Sequence, residues 1–243
     1  MNTTLHFRFL ILLSLFSICA QAQKVRMGFL AGPAFSLAAY EFPTGKELNN
    51  PDVPNEVKSW QSTPGFGSGI GLEAEYDFTD KIFVSTGLTL NTSSFKTTVT
   101  DEYIVEKLTI EQQYQFSIFG IQVPVLLHYR VGKFNAGIGG FGALAISGQL
   151  KYKRLENQSV ENTYDQALVF NSDKMEYADF RPFNAGLRAE LGYGIKRLRV
   201  STFFDAGLLN SSPKTASGDV EFQQYPLRRS TLGFSLLYQH WPR

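Results

Sequence analysis

Acid–base or nucleophilic catalysis would need a reactive group within hydrogen-bond reach of a general base, and the candidates in this chain are few. It has three histidines, His6, His128 and His240, and one cysteine, Cys19. The carboxylates Glu73, Glu75, Asp77, Glu190 and Asp205 and the guanidiniums of Arg26, Arg130, Arg188, Arg199 and Arg229 form a larger set, spread over most of the sequence. Such a set could support a carboxylate-based catalytic site, relay a proton or ion, or neutralise itself as a structural plug. There is no Asp-x-Asp-x-Asp-Gly calcium loop, and the sequence points to no metal, no cofactor and no catalytic residue. Which of the three roles applies depends on the elements that position these charges.

Residues 1–22 form a separate object. Arg8 supplies a positive start, residues 9–18 an apolar stretch, and Ala20-Gln21-Ala22 a small-x-small cleavage site before Gln23. A lipid anchor at Cys19 is disfavoured, because Ser17-Ile18 before it is a poor lipobox. The expected division is therefore a cleaved signal peptide, 1–22, and one domain, 23–243. Cleavage takes away His6, Arg8 and Cys19. The 23 basic groups fall to 22, against 22 acidic ones, and no thiol remains. Disulfides, Cys-ligated metals and a cysteine nucleophile are thereby excluded, and zero net charge gives no footprint for nucleic acid. A mean hydropathy of -0.13 and the lack of a later run of roughly 18 to 20 apolar residues exclude a bundle of membrane helices.

Period-two alternation organises the rest. In 66–78, Phe66, Ser68, Ile70, Leu72, Ala74, Tyr76 and Phe78 alternate with glycines, Glu73, Glu75 and Asp77. The same division recurs at 183–193 and 198–208, and more weakly at 25–34, 82–93, 119–130, 134–147 and 230–238. Eight strands of membrane-spanning length follow, joined by tight turns at 79–81, 131–133 and 194–197 and by long polar loops at 42–63, 151–178 and 210–226. Residues 95–115 read as a hairpin extending the third and fourth strands beyond the bilayer, with a ten-stranded barrel as the alternative. Trp60, Tyr164, Phe170 and Tyr177, with Phe42 and Phe222, fall in the long loops as candidate partner contacts.

Alternation fits a soluble lipocalin-like barrel as well as a membrane barrel, and the glycines decide between them. Eight strands leave an interior just wide enough for side chains, so small residues belong inward. Gly28, Gly32, Gly67, Gly69, Gly71, Gly137, Gly186 and Gly207 share a face with the charges, which makes that face the lumen. The five arginines and five acids named above then meet inside, and a balanced salt-bridged plug fits better than a relay. His128 falls inward near the short-turn end and His240 follows the last strand at that end, so neither stands at the long-loop rim where a catalytic histidine would be needed.

The last strand carries Thr231, Gly233, Leu236 and Tyr238 at positions one, three, six and eight. This resembles the signal read by the outer-membrane barrel assembly machinery, although five residues follow Tyr238. The whole mature chain resembles the PorT-like outer-membrane β-barrel family of bacteroidetes. The likeness rests on 119–129 (FGIQVPVLLHY), the glycine-rich 136–147, and 204–210 (FDAGLLN), where Phe204 replaces the usual tyrosine. It implies an all-β, eight-stranded antiparallel up-and-down barrel in the cell outer membrane, surrounded by lipid and lipopolysaccharide, with a possible protein partner at the long loops. The expected role is non-enzymatic: structural, surface-interacting or accessory to secretion. An outer-membrane enzyme with a carboxylate-based site and a soluble periplasmic ligand-binding barrel are the alternatives. Pro124, which removes one ladder donor, is expected at a bulge or register break.

Overall fold

The computed structural model describes residues 25–40, 56–103, 107–168, 170, 181–211 and 227–239. The expected signal peptide, Tyr177, Phe42, Phe222 and His240 lie outside the described residues. The described strands are β1 (Val25–Tyr40), β2 (Glu56–Asp77), β3 (Ile82–Tyr103), β4 (Leu108–Val131), β5 (Phe134–Glu156), β6 (Ser159–Ala167), β7 (Phe183–Ile195), β8 (Leu198–Gly207) and β9 (Leu227–Gln239). Eight of them close an antiparallel ring, β1-β2-β3-β4-β5-β7-β8-β9, sealed where β1 pairs with β9. The ninth, β6, pairs among the described residues only with β5 and stands outside the ring. Each expected strand is present, and the ten-stranded alternative is not the observed one.

Among the described residues the ring is tall on one side. β2 to β5 run for 22 to 24 residues, whereas β7, β8 and β9 run for 13, 10 and 13. The extra length is the expected 95–115 hairpin together with two segments expected as loops. Residues 56–63 are strand, paired with β3 from Glu56↔Tyr103 to Thr63↔Lys96, and 151–167 form the β5–β6 hairpin. That hairpin turns through Asn157 and Gln158 at φ 46° and 69°, the paired left-handed geometry of a tight two-residue turn.

The polarity of the wall inverts along these tall strands. On β3 the outward positions run Ile82, Val84, Thr86, Leu88, Leu90, then Thr92, Ser94, Lys96, Thr98 and Thr100. On β4 they run Tyr129, Leu127, Val125, Val123, Ile121, Phe119, then Ser117, Gln115 and Gln113. Both switches fall at one level, because Thr92 pairs with Phe119. Inward positions change the opposite way, from Ser85, Thr89 and Asn91 to Phe95 and Val99, and from His128 and Gln122 to Ile118 and Phe116. Below the switch the outward apolar side chains are open, as at Phe29, Ile70, Leu127 and Leu191, so this band faces lipid. Above it, roughly 40 Å of strand extends into an aqueous setting. There a buried cluster of Phe95, Val99, Tyr114, Phe116, Ile118 and Leu150 fills the inner side, closed by Ala38, Leu168 and Leu227.

Two expectations change in their physical reason. Most inward glycines make room for backbone: a Cβ at Gly32 or Gly186 would collide with a carbonyl of the adjacent strand, the mark of sharp strand coiling. At Gly137 the obstacle is instead the His128 ring. Pro124 sits at neither a bulge nor a register break. The β3–β4 ladder is interrupted between Thr86↔Val125 and Thr89↔Gln122 and resumes in the same register, while the shift falls at Phe119/Gly120, opposite β5.

Arginine at Leu72 or Leu187, both outward and within the lipid-facing band, is expected to destabilise the barrel by roughly 2 to 4 kcal/mol in a liposome unfolding assay. Arginine at Gln115 or Ser117, just above the polarity switch, should stay within about 0.5 kcal/mol of the parent. Equal costs at the two levels would refute the placement of the lipid boundary.

Candidate functional site

The interior has two storeys. Alternation on β2 puts Glu73, Glu75 and Asp77 on one inward column, and β8 places Arg199 across the lumen from them. Arg199 Nη2 donates to Glu73 Oε1 at 2.5 Å and lies 3.3 Å from Glu190 Oε1, while Nη1 meets Glu75. Arg26 bridges Glu75 at 2.8 Å and Asp77 at 2.7 Å, and Arg130 reaches Asp77 at 3.4 Å. Phe83 lies beneath two of these cations, with the Arg130 guanidinium 4.4 Å from its ring centroid. A second unit stands higher. Arg188 grips Asp205 through Nε at 2.5 Å and Nη2 at 2.6 Å, and Gln122 Nε2 donates to the second carboxylate oxygen at 2.8 Å. Nine of the ten inward charges are thus in ion pairs; Arg229 stands apart, donating through Nε to Ser211 Oγ at 3.2 Å.

The buried Ser85–His128 contact was not legible in the sequence. Ser85 Oγ lies 2.9 Å from His128 Nε2, with the imidazole stacked on Phe83 at 4.4 Å. Both residues are 2% exposed or less. This geometry resembles a nucleophile–base pair in distance alone. It ties β3 to β4 from the inner side of the wall, beside the ion-pair network. The shared inward parity of Ser85, Phe83 and His128 was the available signal; their registry across β3 and β4 was not visible.

The upper storey is aromatic. Tyr114, Tyr152 and Tyr164 are direct register partners across β4, β5 and β6, with ring centroids 5.0 and 4.7 Å apart. Tyr114 Oη donates to Gln112 Oε1 at 2.7 Å. Burial raises the phenol pKa of Tyr114 and, in the same direction, that of Tyr152. Of the candidate partner contacts, Tyr164 is exposed on this ladder, whereas Phe170 is partly buried against the apolar cluster. Trp60 belongs to β2, opposite Val99, rather than to a loop. In β9, Thr231 and Gly233 face inward, Thr231 Oγ1 lying 3.2 Å from Ser36 Oγ, while Leu236 and Tyr238 face out.

A family model described as "Outer membrane protein beta-barrel domain" matches residues 70–212. No curated protein sequence matches the chain. Among solved structures, Ail of Yersinia pestis, crystallised with the heparin analogue sucrose octasulfate, is 10% identical at a TM-score of 0.37. The match covers 89% of this chain and 99% of that one. Neisserial surface protein A is 8% identical at a TM-score of 0.40, covering 87% and 96%. The outer membrane protease OmpT of Escherichia coli is 9% identical at a TM-score of 0.28, covering 89% and 97%.

Removing Arg199 leaves three inward carboxylates without their shared cation, so Arg199→Met is expected to destabilise the barrel by about 3 to 5 kcal/mol. Replacing both members of the Arg188–Asp205 pair, as Arg188→Met with Asp205→Leu, should cost less, the remaining cost coming from the acceptor that Gln122 loses. Urea unfolding in detergent compares the two, and similar losses would refute the shared-cation account. The aromatic storey has its own pH signature. Its folded phenols titrate above the ordinary value of 10.0, so the stability they lend is complete below that pH and is lost as pH rises through their folded values. Phenolate absorbance should show Tyr114 and Tyr152 titrating after the exposed tyrosines, a lag absent from Tyr114→Phe/Tyr152→Phe.

Proposed function

The chain belongs to the outer membrane protein beta-barrel domain family, and from that premise we propose that it is a non-enzymatic surface-interaction protein whose binding element is the open edge of the projecting sheet. One observation carries this reading: β6 is exposed along its whole length and, among the described residues, pairs on one side only, above the lipid boundary. Such an edge offers a row of backbone N–H and C=O groups to an extended segment of a partner protein. Edges of this kind are usually blunted by lysine or proline. β6, Ser-Val-Glu-Asn-Thr-Tyr-Asp-Gln-Ala, has neither, and Tyr164 adds an aromatic anchor. The ion pairs that stand in the lumen at Arg199 and Arg188 argue against a passive pore, and the burial of Ser85 and His128 argues against hydrolysis at that pair.

The motifs at 119–129, 136–147 and 204–210 support a place in the PorT-like branch. Export through cleavage after Ala22, and delivery to the barrel assembly machinery through Thr231, Gly233, Leu236 and Tyr238, complete the proposed route to the outer membrane. There lipid and lipopolysaccharide surround the barrel. A photo-crosslinking residue at Thr163, on β6, should capture one defined protein in intact cells, and the same probe at Thr98, on the outward face of β3, should not. Capture of glycolipid alone at both positions would overturn the edge-docking role and leave a structural one.

A further inference from the structure

Lys96, Gln115 and Lys151 form one register row across β3, β4 and β5, and Thr98, Gln113 and Lys153 form the row above it. Residues paired directly across antiparallel strands share a face, so all six stand on the outward face. The lower row is four residues above the level where Thr92 meets Phe119, about 13 Å along the strands at roughly 3.3 Å per residue. A strand tilt of about 40° makes this about 10 Å of height above the hydrocarbon. The row between holds Ser94, Ser117 and Gln149. Lys96, Lys151 and Lys153 form no ion pair with a described residue. The acids are placed differently: Asp165 stands beside Lys151 on β6, and Glu111 belongs to the row above Lys153. The two rows nearest the membrane that carry charge thus set three cations against one carboxylate.

We propose that this face docks the phosphate-bearing headgroup of an outer-leaflet glycolipid. Just above the hydrocarbon, the neighbour of an outward side chain is a lipid headgroup, and lysines close to an anionic lipid surface are attracted to it. Long apolar stems let the ammonium groups of Lys96 and Lys151 descend toward the boundary. The two lysines are two strand spacings apart, about 10 Å, with Gln115 between them. Its amide donates to and accepts from sugar hydroxyls, so the row offers charge for phosphate and an amide for sugar. A protein interface would need an apolar or aromatic centre from which lysine is depleted, and these two rows hold no apolar side chain on β3, β4 or β5. The proposal rests on the lipid boundary at Thr92 and Phe119 and is independent of the role of β6.

Native mass spectrometry of the folded full chain in detergent, titrated with diphosphoryl lipid A, tests the face. The parent is expected to retain the glycolipid, and to retain its dephosphorylated form far more weakly. Lys96→Gln with Lys151→Gln and Lys153→Gln should weaken retention roughly tenfold to a hundredfold. The same number of charges removed at the other end, as Lys81→Gln with Lys133→Gln and Lys196→Gln, should leave it unchanged. Gln115→Arg, which adds a cation between Lys96 and Lys151, should strengthen retention about fivefold. Heat-modifiable gel migration checks folding; if the triple variant at the upper rows does not fold, the gain at Gln115→Arg decides. No retention by the parent, equal weakening by the two triple variants, or no gain from Gln115→Arg overturns the proposal. A dimer of the parent that the upper triple variant dissolves would also overturn it, assigning the face to a second copy of the chain.

Discussion

Every backbone N–H and C=O within hydrocarbon has to find a partner inside the protein, since lipid offers none. Closure of β1 on β9 meets that requirement around the whole ring, and the rest of the structure is subordinate to it. An eight-strand circumference fixes a narrow lumen. The lumen then admits charges only where they neutralise one another, and the strand coiling that closes so small a ring requires glycine where one backbone crosses close to another. The ion-pair network is a consequence of closure rather than its cause. It is what a polar inward face becomes when there is too little room for water.

The same strands obey a different rule once they leave the bilayer. Without lipid outside, the outward face turns polar and the inward face can be apolar, so the upper half of the tall side is built like part of a soluble protein, with a buried aromatic cluster. One continuous ladder thus runs through two solvents. The level at which Thr92 meets Phe119 marks where the governing solvent changes.

This inversion explains what the sequence disclosed and what it hid. The eight spanning strands were legible because lipid and lumen impose opposite demands on alternate residues, as at 66–78. Segment 151–167 was read as loop because alternation fades through the Arg154/Leu155 irregularity, and β6, wet on every side, has no apolar stripe to reveal it. Residues 56–63 were missed for the same reason. The identity of the inward charges followed from parity alone. Their partners did not: that Glu73, Glu75 and Glu190 share Arg199 while Arg229 stands apart depends on stagger between distant strands. The packing of Phe170 on the apolar cluster has no sequence signal, because an aromatic in a polar stretch can be either an exposed contact or a lid on a core.

The β5–β6 hairpin gives the molecule a mechanical character. A load applied to β6 along the strand direction strains the ladder from Gln149↔Ala167 to Glu156↔Ser159 in shear, with many bonds sharing the force. A sideways load would open the same ladder one bond at a time, from the end inward. A tether fixed at this edge would therefore resist traction along the strands far better than a pull perpendicular to them.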